Sequence, residues 1–408
     1  MRILHTSDWH LGKMLEGASR MDEQEKFLED FINIVEEKQI DMVIISGDIY
    51  DNSNPPARAE KMFYTALKKI CNKGKRLVLV IAGNHDNPER LEAASSLAYG
   101  QGVIILGRPK SCAEIGKCGE YEILDSGEGF IEININKEKA VIITLPYPSE
   151  KRLNEILSEG IEEDERQKNY SERISELFEH LSKKYRDDTI NLAVTHLFVL
   201  GGEETDSERP IQLGGSLAVS ATALPERAQY IALGHLHKPQ YIKARTKCVY
   251  SGSPLQYSKS EIGYTKSCYL VDVKAGQEAV IEEIHLKNYK PIEVWRCKSV
   301  EEAIKKCEEN SDKNIWVYLE IETDKYISQE DIKTMKSLKD DILEIKPLIQ
   351  GKDEDSQDFY NIKEKSMREF FEEFYIKQRM VKPDEEVMEL FLDIAGEEDG
   401  EEYEAQDA

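Results

Sequence analysis

No stretch of the chain approaches the ~18 consecutive apolar residues that crossing a bilayer needs, so no membrane span is expected. The N-terminus, Met1-Arg2-Ile3-Leu4-His5-Thr6-Ser7-Asp8, turns polar too early for a signal peptide. Cysteine is sparse: seven residues, an odd number without CxxC spacing, fit a reducing compartment better than a disulfide framework. A cytoplasmic protein is therefore expected. The phosphate-cradling pattern GxxxxGK[ST] is absent, which excludes ATP hydrolysis of that kind by this chain. No internal repeat is present. Positive charge is also short, with 54 Lys and Arg against 79 Asp and Glu, a net −25 over 408 residues. That balance argues against a polyanionic partner, whose binding draws on Lys and Arg. The excess is uneven, however: residues 351–408 hold 7 basic and 20 acidic side chains, a local charge of −13.

What is present is a regular alternation. Short apolar runs rich in Val and Ile predict strands at Arg2–His5, Met42–Ser46, Leu77–Ala82, Val141–Leu145, Ile190–Thr195, Tyr230–Leu233, Cys248–Tyr250 and Cys268–Val273. Helical periodicity fills the early gaps, with Phe27, Leu28, Phe31, Ile34 and Val35 on one side of Asp22–Glu37, and Met62, Phe63, Ala66, Leu67 and Ile70 on one side of Ala57–Ile70. Residues 150–188 are charged and helix-like and predict a surface insertion. A βαβαβ pattern follows: strands at Ile292–Cys297, Ile315–Thr323 and Ile342–Leu348, and helices at Ser299–Asn310 and Ser328–Lys339. Gly351–Gln357 is linker-like. Beyond it, Phe370, Phe371, Phe374 and Tyr375, then Val387, Met388, Leu390, Phe391 and Ile394, recur at helical spacing amid acids, and the last twelve residues predict a disordered tail. The expected division is 1–286, 287–349 and 350–408.

The polar residues fall where the strands end. Asp8-Trp9-His10 follows the first strand, Gly47-Asp48-Ile49-Tyr50-Asp51 the second, Gly83-Asn84-His85-Asp86 the third; His196 and Gly234-His235-Leu236-His237 end two later ones. In an open α/β sheet ligands bind beyond the carboxyl ends of the strands. In extended chain, residues i and i+2 share a side, so Asp8 with His10, and His235 with His237, can each clamp one ion. Mixed oxygen and nitrogen donors suit Mn²⁺, Fe or Zn²⁺ better than an all-oxygen Ca²⁺ site. Seven candidate ligands are too many for one catalytic ion and suit two sharing a bridging carboxylate. Two divalent cations against the carboxylates of Asp8 and Asp48 leave a residual positive charge built to receive an anion, and a phosphate ester is the usual one.

The ordered set DxH, GDxxD, GNH(D/E), H and GHxH over residues 8–237 resembles the calcineurin-like metallophosphoesterase superfamily. Longer strings narrow the resemblance to its nuclease branch: Ile3 to Gly12, Pro55-Pro56, Asp206-Ser207-Glu208-Arg209-Pro210, and Tyr250-Ser251-Gly252-Ser253-Pro254. The resemblance implies an α/β fold, a layered αββα metallophosphoesterase sandwich with a small α/β capping domain and a helical C-terminal segment. It puts Asp8, His10, Asp48 and His237 on one metal ion and Asp48, Asn84, His196 and His235 on the other, with Mn²⁺ as the working metal. It gives His85 the scissile phosphate and the leaving oxygen, and Asp51 the orienting of His85, with Asp86 as the rival for that task. It further implies 3′–5′ exonuclease action on double strands, endonuclease action on single strands and hairpins, a separate partner ATPase, and a homodimer; the helical stretches Ala57–Ile70 and Glu89–Tyr99 are the candidates for that contact.

Other residues have plainer readings. His5 fits a satisfied core histidine, His180 and His285 the surface, Trp9 the packing under the metal loop, and Cys112 and Cys118 free thiols. The aromatic helices after residue 366 suit either a self-folded hairpin or a partner's groove. Arg20, Arg58, Lys61, Arg90, Lys238 and Lys243 lie in or near the motif loops and would give DNA a local positive field despite the net charge. Two other functions compete: a small-substrate phosphatase or phosphodiesterase on the same site, and a non-catalytic scaffold that keeps the fold.

Overall fold

The computed structural model describes residues 1–153, 163–208, 218–324, 326–349, 367–379 and 381–395. The linker-like stretch Gly351–Gln357 and the acidic last twelve residues lie outside the described residues. Two units divide the chain, Met1–Tyr289 and Lys290–Ala408.

The first unit stacks two sheets. One has six strands in the order Val280–His285, Ser267–Asp272, Arg2–Thr6, Met42–Ser46, Leu77–Ile81 and Val103–Leu106, parallel from Arg2–Thr6 onward. The other has eight, in the order Gln240–Ile242, Cys248–Tyr250, Tyr230–Gly234, Ile190–His196, Glu138–Leu145, Phe130–Ile135, Tyr121–Gly127 and Gly116–Cys118. Its parallel members are Glu138–Leu145, Ile190–His196, Tyr230–Gly234 and Cys248–Tyr250.

Alternation of side chains along each strand explains why these runs are apolar throughout. Met42 and Ile44 turn into the layer between the sheets, whereas Val43 and Ile45 meet the helices Met21–Glu37 and Ala57–Ile70 through Phe27, Phe31 and Phe63. In Ile190–His196, Ile190, Leu192 and Val194 face the inter-sheet layer, and Ala193 faces the far side. That far side is covered by the helix Glu163–Ser182, whose Tyr170, Ile174, Phe178 and Leu181 are buried against it. The sequence expectation of a surface insertion at 150–188 is corrected here. A four-residue apolar stripe, diluted by charged neighbours, is enough to make this helix the fourth layer of an αββα sandwich. Among the described residues, no helix is long and apolar enough to cross a membrane.

The second unit is built from the parallel strands Ile292–Cys297, Trp316–Thr323 and Ile342–Ile349, in that order, with the helices Val300–Glu309 and Gln329–Leu338. Both helices start on a serine cap, Ser299 accepting from the Glu302 amide and Ser328 from that of Asp331. Their buried Ala303, Cys307 and Met335 pack on Trp295, Val317, Leu319 and Ile321. Two further helices, Met367–Arg379 and Glu385–Ala395, join through Phe371 stacked on Phe391, ring centroids 3.8 Å apart. Met388 is buried, while Phe374 and Leu390 stay exposed. This pair is a hairpin with an apolar face still open to solvent.

Candidate metal centre

The strand parity that builds the core also delivers the site. In Ile190–His196 one more step of the alternation puts His196 on the inter-sheet side, and its Nδ1 donates to the Ser46 carbonyl at 2.8 Å. That bond turns His196 Nε2 toward Asn84 Oδ1 at 2.9 Å and Asp48 Oδ2 at 3.4 Å, two acceptors to which the protonated ring donates. The same parity in the first strand points His5 inward, where it bonds Tyr230 Oη at 2.7 Å and Ser46 Oγ at 2.8 Å, a satisfied buried histidine as expected. Trp9 is fully buried among Phe27, Phe31 and Phe63, also as expected.

Loops leaving the strands run close together. The Asp8 amide bonds Gly47 O at 3.0 Å and the His10 amide Asp48 O at 3.0 Å. Such proximity leaves no room for side chains at two glycines: a Cβ on Gly83 would fall on Asp48 Oδ1, and one on Gly47, whose φ is +96°, would strike His196 Nδ1. Asp8, His10 and Asp48 themselves adopt positive φ of 53°, 45° and 50°, a strained conformation that non-glycine residues accept mainly where the surroundings impose it.

All seven expected donors come together. His10 Nε2 and His237 Nε2 approach to 2.9 Å, beside Asp8; His235 Nδ1 lies 3.0 Å from Asn84 Oδ1; Asp48 Oδ2 stands 3.7 Å from His10 and 3.4 Å from His196, between the two groups. Asp8, His10, Asp48, His196, His235 and His237 are each 3% exposed or less, so bare charge here needs compensation. Burial pushes the Asp8 carboxyl up to about 6. Burial also works against ionisation of Asp48, yet His196, His85 and His10 beside it hold that carboxyl well below its usual range. Burial drops His235 to about 3, whereas for His196 it is outweighed by Asp48 and Asp8, which lift the ring to about 9. A clustered set of carboxylate oxygens, an amide oxygen and imidazole nitrogens fits divalent cations.

In a chain stripped of divalent ions, His196 keeps its proton below about pH 9, and coordination through this ring would require that proton to leave. Divalent-ion binding at pH 7.5 is therefore expected to release about one proton or more per chain, and to tighten as pH rises toward 9. Calorimetry in two buffers of different ionisation enthalpy reads this directly; binding with no proton release would contradict it.

Around this centre stand the two acids considered for orienting His85, with the Asp51 carboxylate grouped within 4.8 Å of His10 and His85 nitrogens. His85 sits at the rim, its Nε2 4.0 Å from Asp48 Oδ2, but the group of Asp51 that meets His85 Nδ1 at hydrogen-bond distance is the main-chain oxygen, at 2.5 Å. The Asp51 carboxylate pairs with Lys13 at 3.0 Å and lies 3.6 Å from His10 Nδ1. Asp86, the rival, accepts three backbone amides, Ile49 at 3.1 Å, Tyr50 at 3.0 Å and Gly83 at 2.9 Å, and so ties two loops together. Arg152, which no sequence motif marks, braces the same turn by donating to Gly83 O at 2.7 Å and Asp86 O at 2.6 Å. Its signal, an arginine shortly after the Val141–Leu145 run, is too ordinary to single out.

The expected basic field is thinner than the sequence suggests. Arg20 is fully buried, clasping Glu23 through two bonds of 2.6 and 2.7 Å, and is structural. Arg58 pairs with Asp22 and Glu25, Arg90 with Glu60 and Lys238 with Glu203, while Lys61 and Lys243 are exposed. Surface pairs of this kind are worth about 0–1 kcal/mol, so phosphate can displace them at little cost.

Known proteins resemble this chain over most of its length. Residues 1–239 match the calcineurin-like phosphoesterase family, and residues 288–379 match the family described as type 5 capsule protein repressor C-terminal domain. The chain is 42% identical over 398 residues to the SbcD subunit of the SbcCD nuclease of Bacillus subtilis, covering 97% of this chain and 98% of that protein. Among solved structures, a protein from Thermus thermophilus overlaps 70% of this chain and 99% of its own at 12% identity and TM-score 0.36. A dimetal phosphatase from Danio rerio overlaps 69% and 98% at 9% identity and TM-score 0.35. With the motif residues gathered at one buried point and a relative alike over nearly its whole length, the chain belongs to the calcineurin-like phosphoesterase family, in the branch represented by the SbcD subunit of the SbcCD nuclease.

Proposed function

We propose that this chain is the nuclease subunit of a DNA-processing complex and hydrolyses phosphodiesters with two divalent ions, Mn²⁺ being the working metal. The observation that supports this best is Asp48, an ionised carboxylate flanked by histidines from separate strand ends, where a bridging ligand is needed. Asp8, His10, Asp48 and His237 would hold one ion, and Asp48, Asn84, His196 and His235 the other. When bound, the ions supply Lewis acidity to a phosphoryl oxygen and a nucleophilic water near neutral pH. The chain's own residues do the rest. Asp51 O, which can only accept, keeps the hydrogen on His85 Nδ1 and so aims Nε2 at the substrate; in its imidazolium form the ring gives the Nε2 proton to the leaving oxygen and is left neutral, to be reprotonated from solvent. Arg152 and Asp86 hold the turn that carries Asn84 and His85.

The products and partners belong to the same reading: 3′–5′ exonuclease and single-strand or hairpin endonuclease action in DNA replication, recombination and repair, in the cytoplasm, with an SbcC-type ATPase in a heterotetramer. Residues 1–286 form the nuclease domain, 287–349 the capping domain, and 350–408 the segment that docks the ATPase, with Phe374 and Leu390 on its exposed apolar face. A homodimer through Ala57–Ile70 and residues 89–99 brings two nuclease sites together. Because most basic side chains near the site are already paired, the partner supplies much of the grip on DNA. Comparing Mn²⁺-dependent turnover of hairpin DNA with that of nitrophenyl phosphate esters tests the substrate class. Faster hairpin cleavage is expected, and the reverse order would make the chain a small-substrate phosphodiesterase. Deleting residues 351–408 is expected to leave nuclease activity but abolish co-purification with the ATPase; a complex that survives the deletion would contradict the docking assignment.

A further inference from the structure

Three buried charged side chains near the metal centre are not accounted for by ligation. Glu261 is fully buried, Lys266 6% exposed and Glu208 9% exposed. Isolated buried charges cost several kcal/mol each unless paired, and well-packed apolar residues would serve stability as well or better. All three converge on His237. The His237 amide donates to Glu208 Oε1 at 2.7 Å, and the His237 carbonyl accepts from Lys266 Nζ at 2.8 Å. The ring is reached through Ser207, whose hydroxyl contacts His237 Nδ1 and donates to Glu261 Oε1 at 2.5 Å. Lys266 closes the circuit by pairing with Glu261 and bonding Ser253 Oγ at 2.8 Å. Glu208 is itself fixed by the Thr205 amide at 2.7 Å and hydroxyl at 2.6 Å.

The direction of these bonds follows from the donor inventory. An ionised carboxylate only accepts, so the Ser207 hydrogen is committed to Glu261 and the Ser207 oxygen must accept from the ring. His237 Nδ1 therefore carries the hydrogen, and its Nε2 lone pair faces His10 Nε2 and the centre. We propose that Ser207, Glu208, Glu261 and Lys266 are positioning residues that fix the tautomer and the place of His237, and through it the affinity of one metal ion. Two segments distant in sequence, 205–208 and 261–266, are thereby tied at one ligand. This gives a physical role to Ser207-Glu208 in the string Asp206–Pro210, of which Arg209 and Pro210 lie outside the described residues. The proposal rests on His237 being an ion ligand.

Mn²⁺ titration of the full-length chain, followed by electron paramagnetic resonance, tests it without reference to turnover. Ser207→Ala is expected to weaken one ion about 10- to 100-fold and leave the other unchanged. Ser207→Thr, which keeps the hydroxyl, is expected to restore the affinity, and Glu261→Gln to weaken the same ion. Adding Ser207→Ala to His237→Ala is expected to change nothing further, because the hydroxyl acts only through the ring. Thermal melting accompanies each variant; if Ser207→Ala does not fold, Ser207→Cys, with its weak thiol donor, is measured in its place. Wild-type affinity in the serine variant, or an effect that persists without His237, would overturn the positioning role. Two ions bound with unchanged affinity by His237→Ala would overturn the ligand reading instead.

Discussion

Replacing His85 by alanine is expected to slow DNA cleavage about 10²–10⁴-fold while the chain keeps its divalent ions, the signature of a lost general acid. The geometry separates the two effects. His85 lies at the rim, 7% exposed, with Nε2 4.0 Å from Asp48 Oδ2, so it borders the centre. Asn84, the neighbouring side chain, faces His196 and His235. Adjacent side chains diverge, so one of the pair can serve the ions and the other the substrate. Because Asp51 meets His85 through its main chain, Asp51→Asn is expected to cost far less than His85→Ala. Parallel measurement of cleavage and metal content checks both; near-normal cleavage by the alanine variant would show the acid lies elsewhere.

Replacing Asp48 by asparagine is expected to remove both ions and to slow cleavage on the order of 10³–10⁵-fold, several kcal/mol of transition-state stabilisation. Its Oδ1 accepts the His85 amide at 2.9 Å, and its Oδ2 stands between His10 and His196. Asparagine keeps the shape but lacks the charge with which one group would serve two cations. The variant also relieves the buried carboxylate of its desolvation cost, so the fold is expected to survive, as melting without added metal would show. Metal analysis separates this variant from His237→Ala, which is expected to lose one ion; an asparagine variant holding two would remove Asp48 from its bridging place.

Much of this was legible in the amino-acid order, for physical reasons. Strands covered on both faces must be apolar throughout, so Met42–Ser46 and Leu77–Ile81 stand out, and the residues that break each run at its carboxyl end mark the site. The strands Gly116–Cys118, Tyr121–Gly127 and Phe130–Ile135 were not legible, since they alternate or interleave polar residues. Glu163–Ser182 resembles a solvated helix because four apolar side chains suffice to seat it. Asp51 shows a deeper limit: a motif supplies a residue type at a position, whereas the Asp51 atom that meets His85 Nδ1 at 2.5 Å belongs to the backbone. Arg20 is a similar case, since nothing in its neighbours distinguishes a buried clasp on Glu23 from a surface cation.

A crystal of the chain soaked in Mn²⁺ and measured at the manganese absorption edge addresses the central claim most directly. Two anomalous peaks about 3.5–4 Å apart are expected, flanking Asp48 on either side. One should lie among Asp8, His10 and His237, the other among Asn84, His196 and His235. A single peak, or none within reach of Asp48, would contradict the two-ion account and the hydrolytic mechanism drawn from it.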